Sequence, residues 1–379
     1  MWSDKVPAKL ANIINQDEYS RSQGYFLANR RFGHISATIN LSIILAVLAL
    51  GGFSILDEFI RNYFSNEILV SLLFFGLTGL LATLIGLPFS WYETFVIEEK
   101  FGFNRTSKIT FFLDLVKGWM IGILIGGPVL MLIIWIYYRT GGLFWIYMWL
   151  VITLFSVFMN MFYSELIVPL FNKQKPLEDG SLRDGIEKLA KSAGFRLTDI
   201  YTIDGSKRSA RANAYFTGLG PMKRIVLYDT LINDLDEEEI IAVLAHEIGH
   251  YRKKHSLSML LAGILQTGLL LFIFSMFAGN DMLASALGAP GASFHISLIA
   301  FALIYSPVST VISIILNYIS RKNEFTADRY ASEIYNGKSL ANALKKLSVK
   351  NLSNLNPHPS YVFAYYSHPP LLERLKHLE

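Results

Sequence analysis

FHISLIAFALIYSPVSTVISIILNYI, the run from Phe294 to Ile319, holds 26 residues and not one Asp, Glu, Lys or Arg. As an α-helix rising 1.5 Å per residue it would reach about 39 Å, more than the ~30 Å hydrocarbon core of a bilayer. Five stretches of the same kind precede it: Ser36 to Leu56, Ile68 to Phe89, Trp119 to Tyr138, Leu143 to Tyr163 and Ser258 to Ala278. The composition agrees. Of 379 residues 52% are hydrophobic and only 17% charged, with a mean hydropathy of +0.37, outside the range of soluble domains. The expected fold class is a mostly α, polytopic membrane protein.

Between the spans lies one long polar insert, Ser164 to Leu257, and after them a polar tail, Ser320 to Glu379. The chain therefore divides into residues 1–163 with four spans, the insert 164–257, two further spans within 258–319, and the tail 320–379. Two spans separate insert and tail, which puts both on one side of the membrane, where they can form one domain. Lys and Arg are retained in cytoplasmic loops. Five precede the first span (Lys5, Lys9, Arg21, Arg30, Arg31) and four lie between the second and third (Lys100, Arg105, Lys108, Lys117), against single residues, Arg61 and Arg139, in the alternate connections. The polar domain is expected in the cytoplasm. The first residues, Met-Trp-Ser-Asp-Lys-Val-Pro, carry no signal-peptide or transit pattern, so an internal span is expected to direct insertion.

Thirty-four Lys and Arg against 30 Asp and Glu give a net charge of +4, scattered along the chain, which argues against a nucleic-acid partner. With no cysteine, disulfides, thiol nucleophiles, iron–sulfur clusters and thiolate zinc sites are excluded. Any metal must be held by His, Asp or Glu. Within the insert, Leu182, Ile186, Leu189 and Ala193 recur at helical spacing before Gly194. Asp199 to Ile203, Ala214 to Leu219 and Arg224 to Tyr228 read as strands, the last two joined by a Gly220-Pro221 turn. Asp236 followed by Glu239 is a capping-box pattern that starts a helix near Glu237.

That helix carries His246-Glu247-Ile248-Gly249-His250. Histidines at i and i+4 project from one face, one turn apart, so both imidazoles can reach one zinc ion. Glu247 is placed to act as general base on a water at that ion. Two solvated helix histidines beside an acid would also satisfy the pattern, so a third ligand decides. No further His occurs at the short spacing some zinc proteases use, since His255 is only five residues beyond His250. Asn323-Glu-Phe-Thr-Ala-Asp328, just past the last span and on the same side, sets Glu324 and Asp328 four apart. Glu324 can complete a His2Glu site for one zinc per chain, and Asp328 can hold the second nitrogen of a ligating imidazole.

With these residues in view the chain resembles the type I CaaX prenyl proteases, integral-membrane zinc metallopeptidases of the gluzincin class. The phrases that carry the resemblance are Phe95-Val-Ile-Glu-Glu-Lys-Phe-Gly-Phe-Asn104, Asn213-Ala-Tyr-Phe216, the HExxH, Glu324-Phe-Thr-Ala-Asp328 and Ser367-His-Pro-Pro-Leu-Leu-Glu-Arg374. The resemblance implies a helical bundle enclosing a chamber, with a cytoplasmic α+β gluzincin-like domain whose zinc faces the interior. It implies that Asn213, Ala214 and Tyr215 lie on an edge strand that pairs with an extended substrate, and that His368 donates a hydrogen bond to the scissile carbonyl or its tetrahedral oxyanion. It also implies that Arg374 lies near the substrate or its terminal carboxylate, an ordinary ion pair with a nearby acid being the other reading. Glu98 and Glu99 read as interfacial charges bracing the cytoplasmic domain. Members of the family generally carry seven spans, and Val6 to Phe32 looks like the segment that normally comes after the first of them, so an upstream span is expected to be missing here.

The function expected is a zinc endopeptidase of the inner membrane of a bacterium or of the endoplasmic reticulum, according to host. Its partners would be membrane lipids and a peptide or protein, possibly lipidated, cut near a prenylated C-terminus. Two other readings stand beside it. One is a membrane quality-control protease of the HtpX type. The other is a transporter or scaffold with structural zinc, in which Glu247 would be dispensable.

Overall fold

The computed structural model describes residues 5–195, 197, 199–217 and 224–378. Leu219 and the Gly220-Pro221 turn lie outside the described residues. The N-terminal half is helical: α1 (Gln16–Ala49), α2 (Gly52–Arg61), α3 (Glu67–Tyr92), α4 (Lys108–Ile121), α5 (Gly127–Arg139), α6 (Phe144–Leu166) and α7 (Val168–Phe171). Among the described residues, six helices are long and apolar enough to cross a membrane, as the hydropathy predicts, but their ends differ from the apolar runs.

The first expected span, Ser36 to Leu56, is broken. α1 ends at Ala49, Gly51 turns at φ 65°, and α2 starts at Gly52. Gly51 adopts this left-handed conformation without the Cβ clash any other residue would meet. At its other end α1 begins far upstream of Ser36, at a capping box in which Asn15 accepts from the Glu18 amide (2.8 Å) and Glu18 from the Asn15 amide (3.2 Å). The second span continues through wider π turns to Glu98, and α4 and α5 join through such a turn at Gly122–Gly126 into one helix from Lys108 to Arg139. Much of the polar second-to-third connection is therefore helical, which hydropathy cannot register.

At most 17% of the residues in any span's most apolar stretch are buried. Phe144 and Met148 of α6 meet Phe274 of α11 (His255–Phe277) and Phe301 of α13 (Phe294–Ile334). Val70 and Phe74 of α3 meet Ala284 of the short α12 (Asp281–Ala286) and Ile296 of α13.

The polar segments build a four-stranded sheet from β1 (Gln174–Pro176), β2 (Asp199–Ile203), β3 (Ala214–Thr217) and β4 (Arg224–Tyr228), in the order β1-β2-β4-β3, with β2 and β4 parallel and the outer pairs antiparallel. β1, with its Lys and Pro, has no strand signature in sequence; Leu177 behind it is drawn into the core. Against the sheet pack α8 (Ser181–Ser192), α9 (Asp229–Asp234) and α10 (Glu237–Arg252), and beyond them α14 (Gly337–Lys350), α15 (Pro359–Tyr365) and α16 (Leu371–Leu378). Leu189, Ile225, Leu244, Ala331 and Leu340 share this core, so the insert and the tail fold together. The start of the chain joins them: Leu10, Ile14 and Tyr19 are buried with Leu355, Leu371 and Leu375. α13 links both regions, because its 41 residues run through the last span and continue into the domain.

Candidate metal centre

α10 starts where the sequence requires, at Asp236, whose capping box with Glu239 satisfies the first orphan amides. Its inner face is apolar, with Ile240, Leu244, Ala245 and Ile248 buried, and Gly249 opens the closest approach. A Cβ on Gly249 would lie 3.1 Å from both Cα and O of Ala327 and 3.2 Å from the Tyr330 ring. α10 therefore rests directly on the backbone of α13, which delivers Glu324 to the two histidines.

His246 Nε2 lies 3.1 Å from His250 Nε2 and 3.5 Å from Glu324 Oε2, and His250 Nε2 lies 3.3 Å from Glu324 Oε1. Four tetrahedral ligands at 2.0–2.1 Å from an ion stand about 3.3 Å apart; the edge between the histidines and the approach of one Glu324 oxygen to each of them are of that size. Glu324 Oε2 is buried and accepts no hydrogen bond among the described residues, although Arg374 Nη1 is 3.3 Å away. The residues fit a metal ion.

Asp328, fully buried, accepts from His246 Nδ1 at 2.8 Å, which leaves His246 Nε2 as the lone-pair nitrogen facing the triangle. Burial opposes a charge on His246, but its hydrogen bond to Asp328 and the nearby Glu324 carboxylate outweigh that, and its pKa is pushed up to about 9. The field that holds a proton there also favours a cation, which must displace that proton. Arg374 is buried and grips Asp328 with two hydrogen bonds, Nε at 2.8 Å and Nη2 at 2.6 Å. Of the two readings of Arg374, the ion pair with a nearby acid is the contact present.

Glu247 lines a cavity of about 930 Å³ together with His250, Tyr215, Phe216, Ser164 and Asn160. It makes no hydrogen bond or ion pair among the described residues and is free to bind a water. His368 is 65% exposed, its Nδ1 3.0 Å from Ser367 Oγ and its Nε2 3.3 Å from Glu324 Oε1, at the rim of the triangle. Arg321 of α13 holds the turn that carries it by donating to the carbonyls of Val362 (3.0 Å), Phe363 (3.3 Å) and Tyr366. Ala214 and Tyr215 belong to β3, an edge strand whose outer side pairs with no strand among the described residues. Asn213 precedes it, its side chain accepting from the Ala214 amide (2.9 Å). Glu98 pairs with Arg211 (2.9 Å) and Tyr25, and Glu99 accepts from Asn104 (2.8 Å), in the bracing role read for them. Sequence reasoning missed Gly249 as a packing position inside the HExxH, missed Thr326 although it lies within the quoted Glu324–Asp328 phrase, and missed Arg321, which belongs to no motif.

A HExxH helix joined to a glutamate from the extension of a membrane span defines a membrane metallopeptidase. Residues 2–173 match the family described as "CAAX prenyl protease N-terminal, five membrane helices", and residues 176–379 match "Peptidase family M48". The chain is 36% identical over 385 residues to the CAAX prenyl protease 1 homolog of Arabidopsis thaliana, covering 99% of this chain and 90% of that one. To CAAX prenyl protease 1 of Saccharomyces cerevisiae it is 35% identical, covering 99% and 88%. The crystal structure of S. mikatae Ste24p superposes with a TM-score of 0.94 at 35% identity, covering 100% of this chain and 92% of that one. The chain belongs to the CAAX prenyl protease family of M48 peptidases, multi-pass integral membrane metalloproteases.

Proposed function

We propose that the protein is a zinc endopeptidase that cuts near the C-terminus of CaaX-type prenylated proteins or peptides, with its metal site on the cytoplasmic side. The observation that carries this reading is the 3.1–3.5 Å triangle of His246, His250 and Glu324 beside Glu247, which makes no hydrogen bond or ion pair among the described residues and lies on a cavity wall. Zinc, when bound, supplies a Lewis acid that polarises the scissile carbonyl and acidifies water. Glu247 takes the proton of the attacking water and passes it to the leaving amine. His368 Nε2–H, its Nδ1 accepting from the Ser367 hydroxyl, donates to the developing oxyanion. The unpaired edge of β3 offers main-chain groups to an extended peptide at Ala214 and Tyr215, with Asn213 at its start. Asp328 fixes His246, and Arg374 acts by holding Asp328 rather than by touching the peptide.

A prenyl chain suits this cavity: Met159, Tyr163, Phe216 and Leu257 line it, and burying each CH2 contributes about 0.8 kcal/mol. The test compares a prenylated CaaX peptide with its unprenylated twin in detergent. Preferential cleavage of the prenylated form is expected. Equal cleavage of both would favour the quality-control reading. Glu247→Gln should retain zinc and lose at least the ~10²–10⁴-fold ascribed to general acid–base catalysis. Unchanged cleavage with unchanged zinc would defeat the mechanism.

A further inference from the structure

The second metal-site histidine, His250, has no carboxylate at its Nδ1 among the described residues. Its Nδ1 instead faces the Nδ1 of His255 at 3.1 Å, and His255 Nε2 faces Thr326 Oγ1 at 3.1 Å. Thr326 Oγ1 in turn donates to the Asn323 carbonyl at 2.8 Å. The direction of every proton is set by that last oxygen, which can only accept. Thr326 spends its single proton on Asn323 and so accepts from His255, which places the His255 proton on Nε2. A neutral imidazole carries one N–H, hence His255 Nδ1 is an acceptor. His250 must then donate from Nδ1, and its Nε2 keeps the lone pair that faces His246 and Glu324.

We infer that His255 is a positioning residue for His250, fixing the tautomer and ring orientation that a metal ligand needs. The inference rests on the metalloprotease reading above and adds a residue that the HExxH pattern does not contain. Local backbone supports it independently. Lys254, between α10 and α11, is one of two non-glycine residues with positive φ among the described residues, at φ 58°. A lysine has no intrinsic preference for this conformation. Here it turns the chain so that His255, the first residue of α11, folds back on His250 with ring centroids 5.1 Å apart and planes at 73°. The relay also crosses elements: Thr326 and Asn323 sit on α13 beside Glu324, so the strut that orients His250 is anchored on the helix that supplies the third ligand.

The arrangement differs in kind from that at His246. Asp328 is an anion, and Arg374 balances it. His255 is a neutral acceptor and orients His250 without adding charge.

The experiment measures metal affinity of the full chain in detergent, by zinc competition with a chelating dye and by the absorption bands of bound Co2+. His255→Phe removes the acceptor and should weaken metal binding by the ~10–100-fold typical of lost outer partners, with altered cobalt bands. His255→Asn puts a carbonyl oxygen near the position of Nδ1 and should restore both toward wild type. Thr326→Val keeps the shape but frees the His255 tautomer and should weaken binding, whereas Thr326→Ser should not. Wild-type zinc affinity and an unchanged cobalt spectrum in His255→Phe would overturn the inference. Should His255→Phe fail to fold, the Thr326→Val and Thr326→Ser pair decides it: equal affinities of the two would overturn it. Wild-type protein that bound neither metal would remove the metalloprotease reading itself, an outcome distinct from wild-type binding with an indifferent His255→Phe.

Discussion

Gly249→Ala tests whether the close approach of α10 to α13 builds the metal site. The new Cβ would stand 3.1 Å from Ala327 Cα and 3.2 Å from Tyr330 Cδ1. Taking a carbon–carbon well of about 0.15 kcal/mol at about 3.9 Å, the shorter contact costs about 1.2 kcal/mol and the longer about 0.6 kcal/mol, close to 2 kcal/mol together. An alanine in a helix interior recovers about 1 kcal/mol over glycine. The net loss for a rigid protein is then about 1 kcal/mol. Ala327 contributes backbone and cannot swing aside, so the helices instead separate by a few tenths of an ångström. That movement lengthens the 3.3 and 3.5 Å edges joining Glu324 to the histidines, against a metal–ligand tolerance of about ±0.2 Å. Zinc affinity should fall about tenfold or more, equivalent to 1.4 kcal/mol. Gly263→Ala on α11, whose Cβ would meet nothing within 4 Å, is the control and should be neutral or slightly stabilising. The assay is chelator competition plus thermal unfolding with and without metal. Wild-type zinc affinity in Gly249→Ala would refute the reasoning.

Glu324→Ala should lose most of the bound zinc, and retention of one equivalent per chain on metal analysis would remove Glu324 from the ligand set. A cysteine at Lys175, in β1, is clean to label because the chain has no other; modification by an impermeant reagent applied from the cytoplasmic side alone is expected, and labelling from the opposite side would reverse the orientation. In metal-free protein the raised pKa of His246, about 9 against an ordinary 6.5, contributes stability that is complete below pH 6.5. It is lost as pH rises through 9, an effect on the order of 3 kcal/mol. Melting of chelator-treated protein should therefore drop across that window, and a melting temperature that rises from pH 6.5 to 9 would contradict the His246–Asp328 contact.

Apolar length and local spacing determined a good deal on their own. Each of the six apolar runs lies wholly or largely within one of the six membrane-length helices among the described residues, since a span must satisfy its backbone internally, although the first run is broken at Gly51. Asp236 and Glu239 start α10 because orphan amides at a helix start need local acceptors, and i, i+4 spacing sets His246 and His250 on one face. These outcomes depend on residues near one another in the chain. Helix ends were less legible: hydropathy cannot see that α1 begins at Gln16 or that α13 runs past Ile319 to Ile334 as one helix. Tertiary structure alone decided the contacts between distant residues. Arg374, forty-six residues beyond Asp328, is buried against it. Glu324 reaches the histidines because Gly249 lets one helix backbone rest on another, and His255 turns back on His250 because Lys254 takes a conformation its side chain does not favour. Periodicity fixes which face of a helix a residue occupies; only packing fixes what that face meets.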